Sequence, residues 1–208
     1  MALGLRYLET DVRPSRDGVA VLHHDATLER TSDGCGPLRD RTWRELRDVR
    51  LADGSAPLRL EELLEALPDA HLTIDAKEAG SVPAIADAVR RSGAQGRVCI
   101  ASFSPRRLER LRRLLPNVES GAHPWEVAQL RSRRGVTLPR AHRVQVPLRA
   151  FGMALAEPAF IDRAHACGLA VDVWTVDDPA LMHRLLDLGV DGIMTDSPSV
   201  LREVLAAR

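Results

Sequence analysis

Glu9 and Asp11 stand two residues apart in the run at residues 6–12, and alternate residues of a strand project from the same face. Two carboxylates held together repel unless a cation sits between them, and hard oxygen ligands suit Mg²⁺ or Ca²⁺. Spacing alone leaves open that both face solvent or bind arginines. Asp75 and Lys77 repeat the two-residue spacing in a later run, adding a third carboxylate and a cation able to pair with phosphate. Lys77 is the one lysine among 29 basic residues. A compact ammonium with rotatable donors is not interchangeable with a planar guanidinium, although some basic position had to hold the lysine by chance. His24 closes a run at 19–24 and precedes Asp25. Neighbours on a strand face opposite ways, so His23 and His24 cannot both enter one site, and an isolated exposed histidine is commonly structural or idle. Phe103 and Trp174 follow or end other apolar runs, where they serve equally as pocket walls or as core. His123 and Trp125 read as structural.

These side chains need a scaffold that collects strand ends. From about residue 70 onward a short apolar or β-branched run, a turn and a helical stretch recur. The strand candidates are 71–75, 97–102, 118–122, 142–147, 169–175 and 190–195, and the helix candidates 82–91, 105–115, 125–132, 158–167, 179–188 and 198–207. Ser104-Pro105, Asp178-Pro179 and Ser197-Pro198 are helix entries, and Gly168 and Gly189 follow helices at the left-handed cap position. A strand onset every 20 to 30 residues is the spacing of a strand plus a crossover helix, hence of a parallel sheet with helices outside. Only residues 13–18 separate 6–12 from 19–24, too few for a parallel crossover, so those two form an antiparallel hairpin turning at Arg16-Asp17-Gly18. A Gly-rich loop at 33–37, a short helix at 43–49 and a helix at 60–67 lead back to the parallel strands. The count reaches seven parallel strands, against eight in a closed α/β barrel, whose active site lies at the C-terminal strand ends. Ser102, Gln145, Thr175 and Asp196 gather at such ends with the residues above.

The composition is that of one globular domain spanning residues 1–208. Hydrophobic residues make up 45% and charged residues 28%, so disordered, collagenous and disulfide-stapled chains are excluded. Twenty-nine basic residues balance 29 acidic ones, so no global field favours nucleic acid or an anionic membrane. No apolar run approaches 18 residues and no basic leader precedes one, which reads as a cytoplasmic protein without stable membrane insertion. Cys35, Cys99 and Cys167 are odd in number and far apart, and read as reduced thiols.

Glu9-Thr10-Asp11-Val12, Asp17-Gly18, Leu22-His23-His24-Asp25-Ala26-Thr27-Leu28-Glu29-Arg30-Thr31 and Ile74-Asp75-Ala76-Lys77, in this order, resemble the glycerophosphodiester phosphodiesterase family. The resemblance runs on through Ser102-Phe103, Val144-Gln145-Val146-Pro147, Val173-Trp174-Thr175-Val176 and Gly192-Ile193-Met194-Thr195-Asp196. It implies a metal-dependent (β/α)8 barrel that hydrolyses glycerophosphodiesters, small molecules, to glycerol 3-phosphate and an alcohol. It implies that Glu9, Asp11 and Asp75 hold the divalent cation, Mg or Ca, that His24 is one of two catalytic histidines, and that Lys77 contacts the phosphate. Phe103 and Trp174 would line the pocket. Two departures stand out. Asp75 occupies a place where many relatives have Glu, a change that keeps a hard oxygen ligand. The family's first strand, ending in His-Arg-Gly, and its following helix are not found; Met1-Ala2-Leu3-Gly4 resembles that helix's tail. The resulting expectation is a barrel lacking its first strand and helix, feeble in catalysis, with self-association through the open seam. A non-catalytic barrel binding a metal or phosphorylated ligand is the alternative, and a lyase forming a cyclic phosphate is a third reading.

Overall fold

In the computed structural model, residues 4–132, 138, 140–150 and 152–208 are described, so the first three residues of the Met1-Ala2-Leu3-Gly4 segment lie outside them. The chain divides into two compact units, Tyr7–Glu119 and a second built on Ser120–Arg208.

In the first unit, β1 (Tyr7–Pro14) turns back into β2 (Ala20–Leu22), antiparallel, with Val12 opposite Leu22 and Pro14 opposite Ala20. The turn closes through Gly18, whose φ of 80° a residue with a Cβ rarely adopts. Ser15 N–H donates to the Val19 carbonyl across it. β2 is shorter than the run at 19–24 because the chain leaves the ladder after Leu22, although the His23 N–H still reaches the Asp11 carbonyl at 3.0 Å. A long connection carries α1 (Trp43–Leu46), started by a capping box in which Thr42 and Glu45 satisfy each other's backbone N–H. Val21, Leu28, Leu38 and Leu46 form a small core under it.

Then follow α2 (Leu60–Ala66), β3 (His71–Ala76), α3 (Ser81–Arg91), β4 (Val98–Ala101), α4 (Pro105–Leu114) and β5 (Glu119–Ser120). The sheet order is β2-β1-β3-β4-β5, with β1, β3 and β4 parallel. Leu8, Thr10 and Val12 lie opposite Leu72, Ile74 and Ala76, and Leu72 and Ile74 opposite Val98 and Ile100. The apolar members of this face pack into one core with Leu60, Leu64, Ile85, Val89, Leu108 and Leu111 of the helices. Each fully buried Val, Leu or Ile contributes about 1.5–3 kcal/mol. Glu9, Asp11, Thr73, Asp75, Cys99 and Ala101 therefore project from the opposite face.

The second unit holds α5 (Pro124–Ser132), β6 (Arg143–Pro147), β7 (Arg149–Ala150), β8 (Met153–Ala154), α6 (Pro158–Ala166), β9 (Ala170–Trp174), α7 (Pro179–Asp187), β10 (Gly192–Ile193) and α8 (Pro198–Ala206). Its sheet runs β10-β9-β6, all parallel, over a core that includes Val144, Phe160, Val171, Val173, Met182 and Leu185. Proline occupies the first turn of α4, α6, α7 and α8. Ser104 and Asp178 cap α4 and α7 by accepting from backbone N–H groups. Ser197 makes no side-chain cap; its own N–H donates to Thr195 Oγ1 at 2.9 Å. Gly168 and Gly189 take φ of 73° and 88° after their helices. The sequence carries no signal for the β7–β8 hairpin, because two-residue strands show no alternation. No helix among the described residues is long and apolar enough to cross a membrane.

Candidate active site

Asp11 and Asp75 face each other directly across the β1–β3 ladder, so two carboxylates share one stretch of sheet surface. Lys77 resolves the repulsion. Its Nζ lies 2.7 Å from Asp11 Oδ1 and 2.8 Å from Asp75 Oδ2, and its side chain is 18% exposed. Burial alone would lower the pKa of Lys77, but its hydrogen bonds to Asp11 and Asp75 outweigh that and hold the ammonium above its ordinary value. The position is fixed by the backbone: Lys77 N–H donates to the Val12 carbonyl at 3.1 Å, and Ser81 Oγ–H donates to the same carbonyl at 2.8 Å. Nζ also lies 5.8 Å from the centre of the Phe103 ring, whose residue is 59% exposed. Carboxylate bonding, a ring face and partial burial thus converge on the ammonium.

Asp75 supplies the test of whether a divalent cation suits this place. The residue is 6% exposed, and its Oδ1 is buried with no hydrogen-bond partner among the described residues. An ionised oxygen left so is costly unless something positive completes it. With Asp11 beside it and Glu9 two residues back on the same strand face, the donor set is hard, anionic oxygen, which fits Mg²⁺ or Ca²⁺. Glu9 itself is exposed and lies opposite Thr73.

His23 and His24 lie beyond the end of β2, so strand alternation does not separate them as the sequence reading expected; they differ in burial. His23 is buried, its Nε2 3.1 Å from the Thr27 carbonyl oxygen. The His24 side chain is 65% exposed, and its Nδ1 lies 2.6 Å from Asp25 Oδ1. Asp25 is gripped in turn by the Arg30 guanidinium through Nε and Nη2. The Arg30 contact first, and then His24, hold the Asp25 carboxyl well below the usual carboxylate range. A carboxylate that stays ionised on Nδ1 leaves Nε2 as the imidazole nitrogen available to a substrate. A shallow, open depression of about 350 Å³ is lined by His23, His24, Thr31, Leu51, Ala52 and Asp53, without Asp11, Asp75 or Lys77.

Two residues that the sequence reading passed over complete the arrangement. Arg13, next after Asp11 on the same face of β1, donates from Nε to the His24 carbonyl at 2.8 Å and from Nη1 to Glu78 Oε1 at 2.5 Å. The signal in the sequence was the E-x-D spacing itself, which continues to Arg13. Within the unit Tyr7–Glu119 the structure thus joins Asp11, Asp75, Lys77 and Phe103 by direct contact and ties His24 to β1 through its backbone. Trp174 belongs to the other unit, at the end of β9 opposite Pro147 of β6.

A family model described as the glycerophosphoryl diester phosphodiesterase family matches residues 1–200. The chain is 41% identical over 215 residues to a probable glycerophosphodiester phosphodiesterase 2 of Mycobacterium tuberculosis, covering 99% of this chain and 81% of that protein. A crystal structure of a glycerophosphodiester phosphodiesterase from Agrobacterium tumefaciens superposes with a TM-score of 0.83 at 26% identity, covering 99% of this chain and 88% of that one. A phosphodiesterase of Oleispira antarctica, solved with its product sn-glycerol-3-phosphate, shares the fold at a TM-score of 0.83 and 20% identity over 99% of this chain and 87% of its own. With parallel strands alternating with helices and these neighbours, the fold class is the (β/α)8 type.

Proposed function

Because the chain belongs to the glycerophosphoryl diester phosphodiesterase family, we propose that it hydrolyses glycerophosphodiesters to glycerol 3-phosphate and an alcohol. The observation that carries this reading is the Asp11–Lys77–Asp75 cluster with its orphaned, buried Asp75 Oδ1. It couples a place for a hard cation to an ammonium able to grip phosphate.

Glu9, Asp11 and Asp75 would hold the divalent cation, Mg or Ca, which when bound neutralises phosphodiester oxygens and eases attack at phosphorus. Lys77 turns its ammonium from the carboxylates to a phosphate oxygen. His24, oriented by Asp25, carries one proton through Nε2, either from the attacking water or to the leaving alkoxide. Phe103 offers an exposed ring beside Lys77 for the carbon skeleton of glycerol, and Trp174, from its strand-end position, is read as a substrate-binding residue. The family match runs through both compact units, which supports reading residues 1–208 as one catalytic domain. A small-molecule substrate is in keeping with the product bound by the Oleispira relative.

The test is hydrolysis of glycerophosphocholine with Mg²⁺ or Ca²⁺, following glycerol 3-phosphate by enzymatic assay, beside calorimetric titration of the metal into wild type, Asp11→Asn and Asp75→Asn. The expected result is metal-dependent release of glycerol 3-phosphate and weakened metal binding in both variants. Metal binding without turnover would move the chain to the binding-module class. A cyclic phosphate as the end product would make it a lyase. Undiminished metal affinity in both variants would remove the carboxylates from the site.

A further inference from the structure

Arg13 is 13% exposed at its side chain and makes two bonds to two different elements. Nε–H donates to the main-chain carbonyl of His24, just past β2, and Nη1–H to the carboxylate of Glu78, just past β3. Glu78 follows Lys77 directly, and its own backbone N–H reaches Ser81 Oγ at 3.4 Å, the hydroxyl that donates to Val12. One guanidinium therefore fastens the segment that carries the histidine to the segment that carries the lysine, from a strand position immediately beyond Asp11 on the same face. Glu78 is otherwise approached by the exposed Arg39 at 3.9 Å, a contact too long to replace the Arg13 bond.

The geometry points to Arg13 as a positioning residue: it sets the spacing between His24 and Lys77, with Glu78 as its anchor. The inference rests on the phosphodiesterase reading of the site. Arg13 suits the task because its fork delivers two donors in fixed directions, whereas a lysine at that place offers one nitrogen and cannot reach acceptors on both elements in the same directions. A displacement of about 1 Å in a catalytic group costs up to about 10²-fold in rate, which sets the scale of the effect.

The experiment compares wild type, Arg13→Gln, Arg13→Lys, Glu78→Gln and the Arg13→Gln/Glu78→Gln double variant. It measures kcat and KM for glycerophosphocholine, Mg²⁺ affinity by calorimetry, and amide hydrogen exchange by mass spectrometry. The expected result is a kcat lowered about 10- to 100-fold in Arg13→Gln with the Mg²⁺ affinity kept. Arg13→Lys should fail to rescue it, and the double variant should be no worse than Arg13→Gln, since both members act through one bond. Exchange should rise about tenfold or more at residues 22–25 and 76–79 while α3 and α4 stay protected. Unchanged exchange in those two segments overturns the clamp whatever the activity. Raised exchange with wild-type kcat overturns its role in catalysis, as does full rescue by lysine. A wild-type chain that binds Mg²⁺ yet releases no glycerol 3-phosphate overturns the phosphodiesterase reading instead, and the exchange comparison then decides the clamp on its own.

Discussion

At the scale of single residues the site is a problem of charge. Asp11 and Asp75 are brought opposite each other by the register of two parallel strands, a juxtaposition the sheet imposes and the folded protein must neutralise. Lys77 does so from within hydrogen-bonding distance of both, and its pKa lies above 10.5 despite the opposing effect of burial. The sign follows: a raised folded-state pKa gives stability that is complete below about pH 10.5 and lost as pH climbs through the folded value. The ammonium is therefore present across the neutral range in which substrate phosphate is an anion. Lys77→Arg keeps the charge but exchanges three rotatable donors for a planar fork, and kcat should fall about 10- to 100-fold. Steady-state kinetics equal to wild type in that variant would mean that the solitary lysine is an accident of composition. The histidines divide in the same manner. His24→Ala should lower kcat about 10²-fold or more, the scale of losing a general acid or base. His23→Ala should leave kcat within a few-fold and instead lower the melting temperature, because its ring is buried against the Thr27 carbonyl. Paired melting curves and turnover numbers check both halves, and an exchange of the two phenotypes would place the wrong histidine in the site.

Elements were legible in the sequence to the extent that they carry a period or a punctuation mark. Helices α3, α4, α6, α7 and α8 fall within two residues of the spans expected from apolar spacing, entry prolines and terminal glycines. The parallel strands with four or more residues were read equally well. What shortened were β5, β10 and β2, down to two or three residues each, with isolated backbone bonds such as His23 N–H to the Asp11 carbonyl and Met194 N–H to the Val173 carbonyl running on past the ladder. For residues 118–122 part of the extended run survives only as a single parallel bridge between Gly121 and Arg143. The site was legible in its types, because E-x-D and D-x-K spacings state which side chains share a face. The partner of each was not, because whether Arg13 binds a carbonyl, a carboxylate or solvent depends on where β2 and the loop after β3 end. Gly192 is a case that only packing explains. A Cβ there would run into Asp172 Oδ1, and Asp172 cannot step aside because Arg143 holds both its oxygens, at 2.7 and 2.6 Å. Gly192→Ala should destabilise the protein by about 1–3 kcal/mol through overpacking, a fall in Tm of roughly 2–10 °C for a chain of this size. Gly96→Ala, where a Cβ meets nothing within 4 Å, is the control. Equal melting curves for the two variants would show that the β9–β10 contact gives way without cost.

At the scale of the whole molecule the governing quantity is net charge, zero at pH 7 with 29 residues of each sign and seven histidines counted as neutral. Molecules without net charge lack long-range repulsion, and attraction between exposed patches then decides whether they associate. Tyr7, Phe103 and Trp125 are exposed at 71%, 59% and 70%, so apolar contact surface is present. The expected behaviour is a net attraction at pH 7 that added salt does not relieve, because a molecule with no net charge has no long-range repulsion to screen and the exposed rings supply the contact. Static light scattering at pH 7 across a salt series tests it, with wild type beside Trp125→Ser, which removes one exposed ring. An interaction that turns repulsive as salt is added, or an attraction unchanged in the variant, would mean that opposite charges on neighbouring molecules, and not the apolar surfaces, hold them together.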